Sequence, residues 1–244
     1  MIALLCESTD VGATTLANWL RELSGLDVCM LTPEQLMYTR EFCYHDSSGE
    51  VSASVRLVNG NTIGHQDIRG AINLISAPPT RHLSRVAVED RDYMAQEMTA
   101  IMAAWIAALP CVVLNRSTAT SLSGEFHQDI VWQHLALRAG LPLVSQTDSE
   151  RGATRYNDYG GFDTVDLLVM EQGVFGASLS AKIEDALYKL RILSGVDLFQ
   201  VQLRRQQPMQ QRTEQFVSVQ TAFNPARFGP GIAPALIRSL GLKR

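Results

Sequence analysis

The sequence predicts an α/β fold built around a parallel sheet. Residues 2–6 form an apolar run suited to a buried strand, a helix is predicted over residues 13–23, and residues 27–31 form a second apolar run. Gly25 stands where the helix should end. A strand, a helix and a second strand joined by tight connections are typical of the start of a parallel sheet.

Turn and strand signals continue along the next fifty residues. Pro33 after Thr32 marks a helix start, because proline fits the first helical position. Apolar and polar residues alternate over residues 51–57, just before Asn59-Gly60, which predicts a strand that enters a hairpin turn. Residues 71–75 predict a further buried strand.

A long helix is predicted over residues 89–109. Its apolar residues recur at spacings of three and four and predict a stripe that faces the core: Met94, Met98, Ile101, Trp105 and Leu109. Methionine and tryptophan in such a stripe indicate core packing rather than a binding site. A strand at residues 111–115 and a helix at residues 125–139, ended by Gly140, are predicted next.

A polar segment rich in turn formers, residues 147–163, predicts a domain boundary. We therefore expect one domain over residues 1–146 and a second over residues 147–244. The second should contain strands at residues 165–170, 196–203 and 215–221 and helices at residues 181–193 and 232–240, with a glutamine-rich turn at residues 204–212.

Composition excludes several classes of function. The chain has 244 residues, of which 46% are apolar, and a net charge of −4 without a basic stripe. A nucleic-acid partner is therefore not expected, because binding to phosphates needs clustered positive charge. Charges at Asp90, Arg91, Asp92 and Glu97 argue against a membrane span in the long helix. With no signal peptide recognised, we expect a cytoplasmic protein that does not bind membranes.

Cysteine and histidine spacing does not predict a metal site. The four cysteines are isolated from one another, and Cys6, Cys29 and Cys111 lie in apolar runs, where reduced thiols pack as small apolar groups. His127 and His134 would lie two helical turns apart, too far to bind one metal ion without other ligands.

The segment ESTDVGATT, residues 7–15, invites comparison with a phosphate-binding P-loop. A P-loop needs a lysine that reaches the β- and γ-phosphates, but Ala13 stands at that position and the leading glycine is missing. We therefore expect an ordinary helix start.

Three stretches in order resemble the RimK-type branch of the ATP-grasp superfamily. The opening strand–helix–strand resembles its pre-grasp domain, and LPCVVLNR followed by WQHLALRAGLPLVSQ resembles its strand ending in asparagine, helix and GLP segment. LLVMEQGVFGASLS, SGVDLFQVQL and FVSVQTAFNPARF resemble its late strands. The resemblance implies an α/β fold in which a parallel-sheet pre-ATP-grasp-like domain packs on a reduced ATP-grasp-like α+β core.

The sequence departs from that family at the residues that hold ATP. The family's phosphate-clamping lysines should lie between GLP and the late strands, where residues 145–164 contain no lysine and are too few for a subdomain. The resemblance implies that the family's metal ligands, an acidic residue on one strand and Glu-x-Asn on the next, correspond to Gln202 and to Ser218 and Gln220. The resemblance thus implies a degenerate site, and we expect no metal and no cofactor.

Asn73, Asn115 and Arg116 end strands that the resemblance points towards the family's acceptor cleft, and they are the candidates for a retained pocket. We expect a catalytically inactive pseudoenzyme that acts as a subunit or adaptor for a partner enzyme in peptide modification or small-molecule biosynthesis. One alternative is an ATP-dependent carboxylate–amine ligase that needs a second chain to complete its nucleotide site. The other is a protein that binds a small molecule or a peptide. A protein partner or a homodimer is expected.

Overall fold

A computed structural model describes residues 1–8, 10–47, 50–144, 162–206 and 213–242. The chain forms two compact units, residues 1–126 with 224–244 and residues 127–223. The first unit contains two sheets and the second unit one, and each unit has its own cluster of buried apolar side chains.

Eleven strands and six α-helices are present in the described residues. The strands are β1 Ile2–Leu5, β2 Val28–Leu31, β3 Glu41–Ser47, β4 Glu50–Arg56, β5 Thr62–Gly64, β6 Gly70–Asn73, β7 Val112–Leu114, β8 Phe162–Met170, β9 Gly173–Phe175, β10 Leu198–Gln206 and β11 Thr213–Gln220. The helices are α1 Val11–Ser24, α2 Pro33–Met37, α3 Arg91–Ala107, α4 Asp129–Ala139, α5 Ala181–Ser194 and α6 Ile232–Ser239.

The main sheet of the first unit is parallel throughout, in the order β2-β1-β6-β7. Strand β1 lies in the interior of this sheet, and its four residues are completely buried. Because side chains alternate along a strand, Ala3 and Leu5 face the apolar cluster that contains Trp105 of α3, while Ile2 and Leu4 face the other side. The prediction of a parallel α/β sheet is confirmed.

Helix α1 begins at an aspartate cap and ends at a glycine. The side-chain oxygen Oδ1 of Asp10 accepts a hydrogen bond from the backbone N–H of Ala13 at 3.2 Å, and Gly25 takes the left-handed conformation with φ of 68°. The helix packs against β2, α6 and the short 3-10 helix Pro225–Phe228. Its N-terminus therefore carries a negative side chain, which is the ordinary helix start that the sequence predicts.

A three-stranded antiparallel sheet, in the order β3-β4-β5, also belongs to the first unit. The turn predicted at Asn59-Gly60 is present, because the backbone N–H of Leu57 donates to the carbonyl of Asn61 at 2.8 Å and Gly60 has φ of 92°. Strand β3 was not expected from the sequence. Its side chains are half-buried or exposed where they are described, so it lacks the apolar pattern that marks a buried strand.

The apolar stripe predicted for α3 is wrong in part. Met98 and Trp105 are buried, but Met94 and Ile101 are 36% and 40% exposed. The buried face consists of Met98, Met102, Trp105 and Ile106. The apolar residues of this helix lie on more than one face, so several sets of residues fit spacings of three and four. Packing against the sheet determines which face is buried.

The second unit contains an antiparallel sheet in the order β11-β10-β8-β9. Helices α4 and α5 pack against each other, and their buried side chains join those of alternate strand residues in one cluster. On β10 the alternate residues are Phe199, Val201 and Leu203, so Gln200 and Gln202 face the side away from these helices.

Apolar residues of β8 and β11 are buried within the second unit. Leu167 and Met170 are 0% and 1% exposed, and Phe216 is 2% exposed. Leu167 and Phe216 belong to the cluster beneath α4 and α5, which covers them.

The compact units divide the chain after residues 126 and 223, whereas the sequence places a boundary between residues 146 and 147. That predicted boundary lies outside the described residues, as do residues 145–161 and residues 207–212 of the glutamine-rich turn. Helix α4 joins the second unit because Trp132 and Ala136 pack into its cluster. Helix α6 joins the first unit because it packs against α1.

Among the described residues, every helix is too short or too polar to cross a membrane.

Substitution of Gly12 tests the packing of α1. A Cβ atom added at Gly12 would overlap the side-chain amide of Asn224, so we expect Gly12→Ala to lower the free energy of unfolding by about 1–3 kcal/mol. Gly231→Ala is the matched control, because Gly231 has φ of −60° and open space around its Cα. Urea denaturation measures both. Equal stability of the two variants would contradict this packing.

Buried His65 predicts a pH-dependent stability. Its ring lies 5.3 Å from the Trp105 ring, and burial lowers its pKa below the ordinary 6.5, partly opposed by the nearby Trp105 backbone. His65 therefore binds a proton near pH 6.5 in the unfolded chain and only at lower pH in the folded chain. The free energy of unfolding should fall as pH drops below 6.5. Urea denaturation between pH 7.5 and about 5 should show a smaller fall for His65→Leu than for exposed His134→Gln. Parallel pH profiles for the two variants would show that His65 is not the source of the pH-dependent stability.

Candidate functional site

A row of polar side chains crosses the sheet of the second unit. Gln202 on β10 is paired in register with Ser218 on β11 and with Asp166 on β8. The amide nitrogen Nε2 of Gln202 donates to Oδ1 of Asp166 at 3.3 Å. The structure thus brings together two of the positions that the resemblance assigns to metal ligands and adds a carboxylate that sequence reasoning missed.

The third predicted position, Gln220, lies one step further along the same face. It pairs with Gln200, whose side chain faces the same side as that of Gln202. Gln200 is 6% exposed. The paired strand positions therefore present three amides, one hydroxyl and one carboxylate. Mg²⁺ prefers several charged oxygens, and a nucleotide triphosphate adds negative charge that amides do not offset.

No group of three or more histidine, cysteine, aspartate or glutamate side chains suited to a metal ion occurs in the part of the chain that the structure describes. Asp166 alone supplies the negative charge of the row. Positions 202 and 218, to which the resemblance assigns acidic residues, both carry neutral side chains.

Asn73, at the end of β6, holds the loop that follows β7. Its Nδ2 atom donates to the carbonyls of Asn115 and Leu122 at 2.8 and 2.5 Å, and its Oδ1 atom accepts from the N–H of Ile75 at 3.2 Å. Asn73 and Asn115 are 0% and 1% exposed. Asn115 has φ of 58°, a left-handed conformation that asparagine tolerates better than most residues.

Arg116 binds the carbonyl oxygens at the end of α3. Its Nη1 atom donates to Ala107 and Leu109 at 2.6 and 3.0 Å, and its Nη2 atom donates to Cys111 at 2.5 Å. A helix leaves its last carbonyls unpaired, so a guanidinium with several donors stabilises this end. The structure brings Asn73 and Asn115 together, and a role for the three residues in a ligand pocket stays a prediction.

A cleft of about 720 Å³ opens in the first unit, beyond the carboxyl ends of β1 and β6. Ligands of parallel sheets bind at this edge, which is the signal by which the cleft could have been found from the sequence. The lining comes from three segments, namely Glu7 and Ser8 after β1, Glu34 and Tyr38 in and after α2, and Pro78, Pro79, Thr80, Arg81, Ser84 and Arg85 after β6.

The two glutamates of this cleft are partly withdrawn from water. Burial raises the pKa of Glu7, a hydrogen bond from the Ser76 backbone opposes the rise, and the negative charges of Glu34 and Asp10 add to it. The Oε2 atom of Glu34 is buried and has no hydrogen-bond partner among the described residues. The cleft therefore contains a carboxylate oxygen that lacks a donor.

Cysteine and histidine side chains do not form a second site in the described residues. All four cysteines are free thiols, and burial with nearby Asp10 and Glu7 raises the pKa of Cys6 to about 12, so this thiol is unreactive near neutral pH. The Nε2–H of His127 donates to the carbonyl of Ser194 at 2.7 Å, and its ring meets Trp132 edge-on. His127 thus has the structural role that the sequence favoured.

Substitution of Asn73 tests whether its amide is structural. In Asn73→Asp the carboxylate cannot donate to two buried carbonyls, so we expect a loss of about 3 kcal/mol or more in the free energy of unfolding. The control is Asn59→Asp, because Asn59 uses only its side-chain oxygen, accepting from the N–H of Asn61 at 3.0 Å. The control should change stability by less than about 0.5 kcal/mol. Chemical denaturation compares them, and a tolerated Asn73→Asp would show that the amide is dispensable for folding.

Comparison with solved structures gives the fold independently of these side chains. The macrocyclase MdnC of Microcystis aeruginosa MRC, bound with precursor peptide MdnA, aligns with 97% of this chain and 99% of its own at a TM-score of 0.75 and 10% identity. The RiPP-associated ATP-grasp ligase of Chryseobacterium gregarium, in complex with ADP and a leader and core peptide, is also similar. It aligns with 98% of this chain and 96% of its own at a TM-score of 0.69 and 8% identity.

A third similar structure, the RimK domain ATP-grasp protein of Sphaerobacter thermophilus DSM 20745, aligns over 99% of this chain and 98% of its own at a TM-score of 0.50 and 12% identity. No protein-family model matches the sequence, and no curated protein matches it. At such low identity the likeness concerns the backbone. The parallel sheet of the first unit, the antiparallel sheet of the second and these alignments together establish that the chain has the ATP-grasp-like fold.

Proposed function

We propose that this protein serves peptide modification as a subunit or adaptor of a partner enzyme and does not itself transfer phosphoryl groups. The observation that carries the proposal is the row formed by Asp166, Gln202 and Ser218 in the second unit. The resemblance assigns metal-binding acidic residues to positions 202 and 218, and both side chains are neutral.

Electrostatics gives the reason. Phosphoryl transfer depends on cations that offset the charge of the triphosphate as it develops in the transition state. The row has one carboxylate, and its Oδ1 atom already accepts a hydrogen bond from Gln202. The whole sequence has three lysines, Lys182, Lys189 and Lys243, and none lies between residues 145 and 164, where the family clamps phosphate.

A peptide is the ligand we favour. MdnC is described as bound with a precursor peptide, and the Chryseobacterium gregarium ligase as bound with a leader and core peptide. Both have a fold similar to that of this chain, and this similarity supports a peptide as its ligand. A small molecule is the alternative ligand.

The competing function is an ATP-dependent carboxylate–amine ligase completed by a second chain. In that case the missing lysines and carboxylates would come from the partner, and ATP would bind only to the complex. Either a second copy of this chain or a different protein could serve as the partner. Sedimentation velocity distinguishes the two, because a homodimer has twice the mass of the 26.9 kDa chain.

Nucleotide binding gives the first test. We expect no change in melting temperature with millimolar Mg-ATP, because the side chains that would hold its phosphates and metal ions are missing. A nucleotide that did bind would stabilise the folded protein by RT ln(1 + [L]/Kd), about 2.7 kcal/mol at a hundredfold excess over Kd. Gln202→Glu is the matched variant. It places a second carboxylate beside Asp166, so Mg²⁺ alone should stabilise this variant and not the unaltered protein. A clear shift of the unaltered protein with Mg-ATP would contradict the proposal.

Peptide binding gives the second test. Selection from a random-peptide display library should enrich sequences that bind the isolated protein, and calorimetry on the synthetic peptides should give a measurable Kd. Binding of peptide without binding of Mg-ATP supports the proposal. ATP-dependent joining of a peptide carboxylate to an amine by the protein, alone or as a dimer, would establish the ligase instead.

A further inference from the structure

The cleft of the first unit combines two kinds of charge. Glu7 and Glu34 contribute carboxylates from the segments after β1 and in α2, while Arg81 and Arg85 contribute guanidinium groups from the 3-10 helix that follows β6. A volume of about 720 Å³ falls in the range of sites for small molecules. Buried Pro79 is part of the same lining and restricts the backbone there.

Glu34 is the most informative of these side chains. Helix α2 begins with a capping box in which the Thr32 hydroxyl accepts from the N–H of Gln35 at 3.2 Å and the Gln35 side chain accepts from the N–H of Thr32 at 3.0 Å. The cap is complete without Glu34. Its buried Oε2 atom has no hydrogen-bond partner in the described residues, so a bound group that carries a donor would be favoured beside it.

Glu7 lies in the same lining, and the negative charge of Glu34 contributes to the raised pKa of Glu7. A carboxylate that lies close to a second negative charge favours a bound cation, because a positive charge beside it offsets the repulsion. A divalent metal ion fits less well than an organic cation. The same lining has two arginines, and the described residues contain no cluster of three metal-ligating side chains.

Arg81 and Arg85 give the cleft its second group. Both are exposed, and no described hydrogen bond or ion pair involves their guanidinium groups. Guanidinium groups bind carboxylates through paired N–H donors, so they suit a ligand that also has an anionic group.

We propose that this cleft binds a small zwitterion of the amino-acid type, with its protonated amine at Glu7 and Glu34 and its carboxylate at Arg81 and Arg85. The shared chemistry has two sources, a free α-amino acid or a short peptide with free ends. The proposal goes beyond the function proposed above, because the cleft belongs to the first unit and the metal-ligand row to the second. Only its peptide form would also give a binding place for the peptide ligand favoured above.

Saturation-transfer NMR with two probe pools tests the proposal, one pool containing the twenty free amino acids and the other random tripeptides. Calorimetry then measures Kd for the compounds that bind. We expect binders in at least one pool, and the pool that contains them identifies the source. Acetylation of the amine should abolish binding, since the acetylated nitrogen carries no charge.

Variants locate the bound groups. Glu34→Gln and Glu7→Gln should each weaken binding about tenfold or more, and Arg81→Ala combined with Arg85→Ala should do the same. Glu89→Gln is the matched control, because Glu89 is exposed and lies outside the cleft lining. Melting curves check that each variant is folded. If one of the two glutamate variants does not fold, the other still tests the role of the carboxylates.

Three results would overturn the proposal: no binding from either pool, equal binding of acetylated and free amines, or unchanged Kd in the glutamate variants that fold. Stabilisation by Mg²⁺ or Ca²⁺ that Glu34→Gln removes, without amine binding, would assign the cleft to a metal ion instead. None of these results alters the expectation for Mg-ATP, so the two proposals can fail separately.

Discussion

The first unit depends on the pairing of β1 along both of its edges. Each of its residues pairs with one in β2 and one in β6, and all four side chains are buried. Parallel pairing brings the carboxyl ends of β1 and β6 to the same edge, so the residues that follow them meet there. Glu7 and Pro79 are far apart in the sequence and line one cleft for this reason.

The geometry of the antiparallel sheet in the second unit depends on its buried face. Phe199, Val201 and Leu203 of β10 are held by the cluster under α4 and α5. Because alternate residues face the other side, position 202 is fixed in place whatever its side chain is. The backbone here therefore does not depend on which polar side chain stands at position 202, in keeping with similar backbones at 8–12% identity.

Local signals predicted most of the elements, and contacts between distant segments account for what was missed. Asp10 and Gly25 bound α1, and Asn59-Gly60 forms its turn, because these features depend on neighbouring residues. Asp166 and Gln202 are neighbours because of the register of β8 and β10, which cannot be predicted from local sequence signals. The cleft likewise needs three separate segments, and the buried face of α3 depends on the sheet beneath it.

Helix α6 makes the first unit discontinuous, since residues 127–223 lie between its two parts. During synthesis, α1 emerges early, but its partner α6 emerges only after the whole second unit. The second unit, which is continuous in sequence, can fold while the first still lacks a helix. The side of α1 that packs against α6 thus stays without this partner until α6 has been synthesised.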